Sequence, residues 1–237
     1  MTGPPGAFAR YAKLASERPE LFANPAGSAF RILLDAEEIA AAEGAEADRL
    51  AGRGLPREWA RVGVVYEDEY VLLLRDAVAF PDGHRGTYIR FVGRDDAPSG
   101  VAVLPLHAGK VLLVRHFRHA TRSSHLEIPR GFWVDGLSGT DIARRELEEE
   151  AGIAGCTLVP LGPVHVNTGL TAETLELYAA LVEDGGRPSE DQAITEVVAV
   201  GVDELEELIR DGEVTDSFTV AAYARAKLRG VLGSGYE

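Results

Sequence analysis

The alternation of hydrophobic and polar positions divides the chain into two regions. From about residue 61, short aliphatic or β-branched runs are broken by clusters of Pro, Asp, Ser and Gly, a pattern typical of strands joined by turns. The runs predict strands over residues 62–66, 70–74, 88–92, 101–106, 110–115, 157–160, 174–181 and 194–200. The first 58 residues instead show amphipathic helical spacing at 7–16 and 35–50, with a break at 24–27. Helices are also predicted at 140–151, 203–210 and 216–228, so the chain is expected to be an α+β protein.

The helix predicted at 140–151 carries more negative charge than a fold requires. At about 100° per residue, Glu146, Glu149 and Glu150 fall within one arc, whereas Ala143 and Leu147 belong to a separate apolar stripe. Like charges at these spacings each cost about 0.2–0.5 kcal/mol, and acids near a helix C-terminus oppose the helix dipole. The pattern indicates that a cation belongs on this face.

The composition limits the kinds of partner that a protein with such a cation site could bind. The chain has 237 residues, of which 46% are hydrophobic, enough for one large or two small domains with a proper core. A net charge of −14 argues against binding nucleic acid or anionic lipid through a general basic field. One cysteine excludes an intrachain disulfide, no apolar run approaches about 18 residues, and the N-terminus lacks a signal-peptide pattern. We therefore expect a cytoplasmic protein with no nucleic-acid or membrane partner.

The acidic helix lies in a longer motif. Gly131 is followed after thirteen residues by Arg-Glu-Leu-Glu-Glu-Glu-Ala-Gly-Ile at 145–153, which resembles the Nudix box. Flanking stretches, including Glu-Ile-Pro-Arg-Gly at 127–131 and Asn-Thr-Gly-Leu-Thr at 167–171, are similar to the ADP-ribose pyrophosphatase branch of that family. The resemblance covers about residues 61–230.

The resemblance implies a Nudix fold, a mixed β-sheet sandwich flanked by helices. The chain would add a helical N-terminal extension at 1–58 and an antiparallel N-terminal β region at 59–98 to a catalytic domain at 99–237. It also implies hydrolysis of the pyrophosphate of ADP-ribose, or of a related nucleoside diphosphate sugar, to a nucleoside monophosphate and a sugar phosphate. Members of the branch are commonly dimers that pack their N-terminal strands, so a homodimer is expected.

The acidic face suits a hard divalent cation that also binds substrate phosphates. Glu146, Glu149 and Glu150 are the predicted ligands, and the Gly131 carbonyl joins them by resemblance. Mg²⁺ is the expected cofactor, with Mn²⁺ as the alternative. Arg145 is predicted to orient one of these glutamates through an ion pair rather than to contact phosphate.

Three further residues are candidate substrate contacts. By resemblance, Arg118 at a strand end points toward the nucleotide, and Glu127 reaches the metal or substrate zone. Trp133 lies in the variable part of the box loop, where its ring could stack on a base. For each residue an ordinary structural role stays open. The histidines lack metal-ligand spacing on a single helix, and His116 is interpreted as decorating a strand end.

The general base is predicted by resemblance to lie in a loop before a late strand. Glu190 is the candidate, and Glu196 is the fallback. Two positions depart from the family pattern: Leu137 replaces the first glutamate of the box, and Gln192 stands where an acid is frequent. An amide cannot accept a proton as a carboxylate does. A degenerate domain that binds a nucleotide or a protein partner without efficient turnover is therefore the alternative.

Overall fold

The chain forms two compact units. The computed structural model describes residues 6–93, 98–188 and 193–232. The first unit comprises residues 1–96 together with 167–172, and the second comprises residues 97–166 and 173–237. In the part of the chain that the structure describes, no helix is long and apolar enough to cross a membrane.

The first unit is a small antiparallel sheet packed with two helices. Its elements are α1 (Ala7–Glu17), β1 (Arg31–Leu33), α2 (Ala36–Ala51), β2 (Gly63–Glu67), β3 (Leu72–Ala79) and β4 (Arg85–Val92), with 3₁₀ turns at Pro19–Phe22 and Arg57–Ala60. Strand β3 pairs antiparallel with each of the other three. Both predicted helices are present, and α2 begins at the N-cap Asp35, whose side chain accepts the backbone N–H groups of Glu37 and Glu38.

The segment predicted as a helical extension also contributes a strand. Within β1, Arg31 pairs with Ala79 and Leu33 pairs with Ala77, so residues 1–58 and the following β region share one sheet. A three-residue strand is too short to show the period-2 alternation by which strands are recognised in a sequence. The sheet and its helices share one apolar core, to which Tyr11 and Leu74 belong.

The second unit holds the remaining elements. These are β5 (Gly100–His107), β6 (Lys110–Arg118), β7 (Ser123–Glu127), β8 (Arg130–Phe132), α3 (Gly139–Ala151), β9 (Cys156–His165), β10 (Thr174–Val182), β11 (Ile194–Gly201), α4 (Val202–Arg210) and α5 (Ser217–Leu228). Their sheet has the order β11-β6-β5-β10-β9, in which β5 and β10 are parallel and the β10–β9 and β11–β6 pairs are antiparallel. The mixed sheet and the antiparallel first sheet confirm the predicted α+β class.

The β5–β6 hairpin opens beyond its turn, and two unpredicted strands occupy the gap. Strands β5 and β6 pair only at Leu106–Val111 and His107–Lys110. Beyond that point β6 pairs with β7, and β5 pairs with β8. The chain from β7 to β8 therefore runs through the middle of the sheet.

Both faces of this sheet are covered by helices. One core cluster contains Ile142 and Leu147 of α3 together with Val101 and Leu112 of the sheet. The other contains Phe218 and other residues of α5, with further sheet residues of opposite parity. Adjacent strand residues point to opposite faces, which is why these strands are apolar along nearly their whole length.

Candidate active site

Helix α3 supplies the acidic residues. It begins at Ser138, whose side chain accepts the Asp141 N–H at 3.2 Å while the Asp141 carboxylate accepts the Ser138 N–H at 3.3 Å, forming a capping box. It ends at Gly152, which has the left-handed conformation common at helix C-termini. Leu147 packs in the core, and Glu146 and Glu150 are buried as well, against strand β8.

The three predicted carboxylates have different environments. Glu146 and Glu150 are only 5% and 4% exposed. Glu149 is exposed, and its Oε1 lies 3.1 Å from Nε of Arg145. Arg145 NH2 also lies 3.5 Å from Oε1 of Glu146, so this arginine forms the ion pairs expected of a residue that orients glutamates.

Gly131 of β8 faces Glu146. It pairs with Val101, whose side chain lies in the core cluster that contains α3. A Cβ added at Gly131 would overlap the carboxylate of Glu146, and a Cβ added at Gly100 would overlap the Gly131 carbonyl oxygen. The absence of a side chain at Gly131 allows the β8 backbone to approach the acidic helix closely, and its absence at Gly100 allows β5 to approach β8.

Glu150 contacts the same segment. The backbone N–H of Arg130 donates to Oε2 of Glu150 at 3.0 Å. The other oxygen, Oε1, lies 3.6 Å from Nδ1 of His116. One carboxylate oxygen is thus fixed by the β8 backbone, and the other faces a histidine ring of β6.

A third acidic residue, Glu127, is buried beside Glu146 and Glu150. Glu127 is 1% exposed, its Oε1 contacts Arg118 and lies 3.5 Å from Nδ1 of His116, and its Oε2 lies 3.6 Å from Arg130. Arg118 keeps a quarter of its side chain exposed, while its Nε is buried without a hydrogen-bond partner among the described residues. Since Glu127 is enclosed, it is suited to act through Arg118 rather than by touching a ligand.

Burial dominates the electrostatics of this cluster. Desolvation raises the pKa of Glu150 to about 7, against the opposing hydrogen bond from the Arg130 N–H. Burial also raises the pKa values of Glu127 and Glu146. Burial, with the nearby positive charges of Arg118 and Arg130, lowers the pKa of His116 to about 4, so this ring is neutral near pH 7. The cluster therefore holds three buried carboxylates whose charged forms are disfavoured by desolvation despite the nearby arginines.

These donors fit a hard divalent cation. Carboxylate oxygens and a backbone carbonyl are the ligands that Mg²⁺ and Mn²⁺ prefer, and a bound cation would compensate the desolvated carboxylates. No group of three or more His, Cys, Asp or Glu side chains in the described ranges already converges in metal-ligand geometry. A cation held by two glutamates, one carbonyl, water and substrate phosphates does not require such a group.

The other predicted residues lie in varied surroundings. Trp133 is half-buried and packs against the α3-side core, whereas the adjacent Phe132 is exposed. Leu137 is 39% exposed in the turn before α3. Glu196 pairs with Arg115 at 3.1 Å on the surface of β11. Glu190 lies outside the described residues, so its prediction as general base carries no structural account.

Two residues of this cluster were missed from the sequence. His116 was interpreted as decorating a strand end, but it is 8% exposed and lies between Glu127 and Glu150, which corrects that interpretation. Its signal was present: His116 has the same parity along β6 as Leu112 and Val114, which face α3. The sequence contains no comparable indication for Arg130, because this residue contacts Glu150 through its backbone N–H, a group that nearly every residue has.

Known proteins resemble this chain in sequence and fold. The NUDIX domain family matches residues 96–222, more than half of the chain. An ADP-ribose pyrophosphatase of Bacillus subtilis is 29% identical over 140 residues, which cover 57% of this chain and 75% of that protein. A methanol dehydrogenase activator of Bacillus methanolicus is 28% identical over 173 residues, covering 71% of this chain and 91% of that protein.

A solved structure shares the fold. The crystal structure of an ADP compounds hydrolase superposes with a TM-score of 0.61 at 21% sequence identity, covering 74% of this chain and 94% of that one. The box motif, the carboxylates of α3 beside Gly131 and the family match agree with one another. The chain therefore belongs to the Nudix family, and within that family it is similar to the ADP-ribose pyrophosphatase of Bacillus subtilis.

Proposed function

We propose that the protein is a Mg²⁺-dependent hydrolase that cleaves the pyrophosphate of ADP-ribose or a related nucleoside diphosphate sugar. The products would be a nucleoside monophosphate and a sugar phosphate. The observation that carries the proposal is the pair of buried carboxylates, Glu146 and Glu150, held against the β8 backbone, where Glu150 forms no ion pair with an arginine or lysine among the described residues. The ADP-ribose pyrophosphatase of Bacillus subtilis supports the substrate class.

Glu146, Glu149, Glu150 and the Gly131 carbonyl would hold the Mg²⁺, with Mn²⁺ as a substitute. When bound, the cation supplies positive charge to the pyrophosphate oxygens on which negative charge develops during cleavage. Glu149 now pairs with Arg145, so it would join the site by leaving or sharing that ion pair. Such a change of partner would explain why Glu149 belongs to the acidic face of α3 and is nevertheless exposed.

Arg118 would bind the substrate's phosphate or nucleotide portion. Its buried Nε has no hydrogen-bond partner among the described residues, and a buried unsatisfied donor favours a ligand acceptor. Glu127 would fix the direction of the Arg118 guanidinium through their ion pair. Trp133 would stack on the base with the part of its ring that the core leaves uncovered.

Glu190 is our candidate for the group that accepts the proton of the attacking water. The loop that leads to it is anchored on α3, because the Arg187 N–H donates to the Ala151 carbonyl at 2.7 Å. This loop follows β10, and its residue Arg187 therefore contacts the C-terminal end of the acidic helix. Gln192, also outside the described residues, cannot take this role.

We also propose that the protein is a cytoplasmic homodimer. Strand β2 lies at an edge of the first sheet, and two of its side chains, Val65 and Tyr66, are exposed. Exposed edge strands favour pairing with another chain. Light scattering coupled to size exclusion should give a dimer mass for the parent and a monomer mass for Val65→Lys.

A hydrolysis screen tests the proposed function. The parent would be incubated with ADP-ribose, other nucleotide sugars, dinucleotides and coenzyme A, in Mg²⁺, Mn²⁺ or EDTA, with products separated by ion-exchange chromatography. We expect metal-dependent release of AMP and ribose 5-phosphate from ADP-ribose. Saturable binding of ADP-ribose without metal-stimulated products over the whole panel would contradict the proposal and favour a binding domain that does not turn over its ligand.

A further inference from the structure

The chain between β7 and β8 is held by a hydrogen bond to helix α5 rather than to a neighbouring strand. Here the 128–131 segment leaves one strand of the sheet and enters the next. The Ile128 N–H, which is buried, donates to Oγ1 of Thr219 at 3.0 Å. Thr219 belongs to α5, lies 91 positions away in sequence and is 0% exposed, so water cannot replace this bond.

The Thr219 hydroxyl is itself fixed by the N-cap of the helix. Asp216 Oδ2 accepts both the Thr219 backbone N–H and the Thr219 hydroxyl, each at 2.8 Å. With its hydrogen directed to Asp216, the hydroxyl oxygen presents a lone pair to the Ile128 N–H. The first turn of α5 is thereby an oriented acceptor for the sheet backbone.

The same turn also holds the other side of Pro129. Asp216 Oδ1 lies 3.6 Å from NH1 of Arg130, and the Arg130 guanidinium lies 5.0 Å above the Phe218 ring. Pro129 has no N–H of its own and is tied to the sheet through its carbonyl, which accepts the Val103 N–H at 2.9 Å. Residues on both sides of the proline are thus fixed by α5.

The position of the 128–131 segment matters because its backbone contacts two acidic residues of α3. The Arg130 N–H donates to Glu150, and Gly131 abuts the Glu146 carboxylate with no room for a Cβ. Helices α3 and α5 pack on opposite faces of the sheet. The 128–131 segment is therefore gripped by α5 on one face while it presents its backbone to the acidic residues of α3 on the other.

We infer that Thr219 and Asp216 are positioning residues of the metal site. They set the position of the Gly131 carbonyl and the Arg130 N–H relative to Glu146 and Glu150. The inference rests on the proposed metal-dependent function, and it assigns to α5 a role that the Nudix box alone does not contain. Loss of the contact should weaken metal binding while leaving the ligands themselves in the chain.

Direct Mn²⁺ binding tests the inference without relying on turnover. Free Mn²⁺ would be followed by electron paramagnetic resonance on metal-free protein, well below the unfolding temperature of every variant. We expect Thr219→Val, which keeps the shape but removes the hydroxyl, to weaken Mn²⁺ binding about tenfold. Thr219→Ser should stay within about twofold of the parent, because it restores the acceptor.

Val220→Ala is the matched control. Val220 is partly buried on the same helix, packs against the α5-side core and takes no part in the bonds to the 128–131 segment. We expect it to lower the unfolding temperature without changing Mn²⁺ affinity. If Thr219→Val binds Mn²⁺ as tightly as the parent, or if Val220→Ala weakens binding equally, the positioning role is refuted.

Two further variants complete the test. If Thr219→Val does not fold, Asp216→Asn decides: asparagine keeps an N-cap acceptor but loses the charge that faces Arg130, and we expect weaker Mn²⁺ binding. Unchanged affinity in Asp216→Asn would then refute the role. Glu150→Gln separates the proposed metal site from the positioning role of Thr219 and Asp216. If the parent binds no Mn²⁺, or if Glu150→Gln binds it with parental affinity, the proposed metal site on α3 is itself refuted.

Discussion

Gly131 and Glu146 lie so close that a Cβ on the glycine would overlap the carboxylate. The obstructing atoms are the far end of a flexible side chain, so the protein can tolerate Gly131→Ala by swinging that carboxylate away. We expect the variant to fold with a small loss of stability, about 1 kcal/mol, and to lose at least about tenfold in Mn²⁺ affinity. Titration of metal-free protein by calorimetry measures this loss.

Gly155→Ala is the control for that substitution. Its Cβ would meet no heavy atom within 4 Å, and its backbone is not in the left-handed region. It should keep parental metal affinity. Parental affinity in Gly131→Ala would show that Glu146 does not bind the cation from its present position.

The pH dependence of stability in metal-free protein should report Glu150. Its pKa is about 7 in the folded state and 4.5 ordinarily, so between these values the folded state keeps a proton that the unfolded state releases. This contribution to the free energy of unfolding is present below about pH 4.5 and is lost as pH rises through 7. Each pKa unit corresponds to about 1.4 kcal/mol.

The titration of His116 changes the free energy of unfolding in the opposite direction, so a variant is needed to isolate the contribution of Glu150. The lowered pKa of His116, about 4, makes its contribution increase as pH rises from 4 to 6.5. In EDTA, the stability difference between Glu150→Gln and the parent should therefore shift in favour of Glu150→Gln as pH rises from 5 to 8. Urea unfolding at several pH values measures it, and a difference independent of pH would contradict the assigned pKa.

Leu137→Glu tests the departure from the box. Leu137 is 39% exposed and directly precedes the N-cap of α3, where a carboxylate is favourable to the helix dipole. We expect the variant to be as stable as the parent and to raise kcat several-fold at limiting Mg²⁺, by adding a carboxylate near Arg145 or the metal-bound water. Leu137→Gln introduces a side chain of similar size without the charge and should not raise kcat. Equal kcat values for the two variants would show that the negative charge is not responsible for the effect.

In the first unit, stability depends on a buried ionic group. Asp76 is 2% exposed and accepts hydrogen bonds from Arg90 Nε and from the Tyr11 hydroxyl, both at 2.6 Å. Asp76→Ala leaves the arginine without its partner and should lower the free energy of unfolding by about 3–5 kcal/mol. Asp48→Asn, which breaks an exposed pair with Arg57, should change it by less than about 1 kcal/mol, as urea unfolding can verify.

Periodicity and spacing were sufficient for the acidic helix. Helix α3 was predicted at 140–151 and is found at Gly139–Ala151, with Ser138 as the cap. The separation of the Leu147 stripe from the acidic arc follows from 3.6 residues per turn and needs no tertiary information. The inward turn of Glu146 and Glu150 does not follow from helix geometry, because it depends on β8 lying beside the helix.

The central strands of the site were missing from the sequence-based expectation for a physical reason. Strand β7 begins Ser-Ser-His and β8 is only Arg-Gly-Phe, so neither shows an alternating apolar pattern. They are strands because the β5–β6 hairpin opens and leaves unpaired backbone on both sides. A role such as that of Thr219, which is set by one bond across 91 positions, is likewise determined by packing alone.

A phosphatase-coupled assay on ADP-ribose tests the central claim most directly. ADP-ribose has no terminal phosphate, so alkaline phosphatase releases inorganic phosphate only after the pyrophosphate is cleaved. We predict release by the parent in Mg²⁺, none in EDTA, and a loss of at least about a hundredfold in folded Glu150→Gln. Glu148→Gln, on the exposed side of the same helix, should keep parental activity. Full activity of Glu150→Gln, or equal phosphate release in EDTA, would contradict the account.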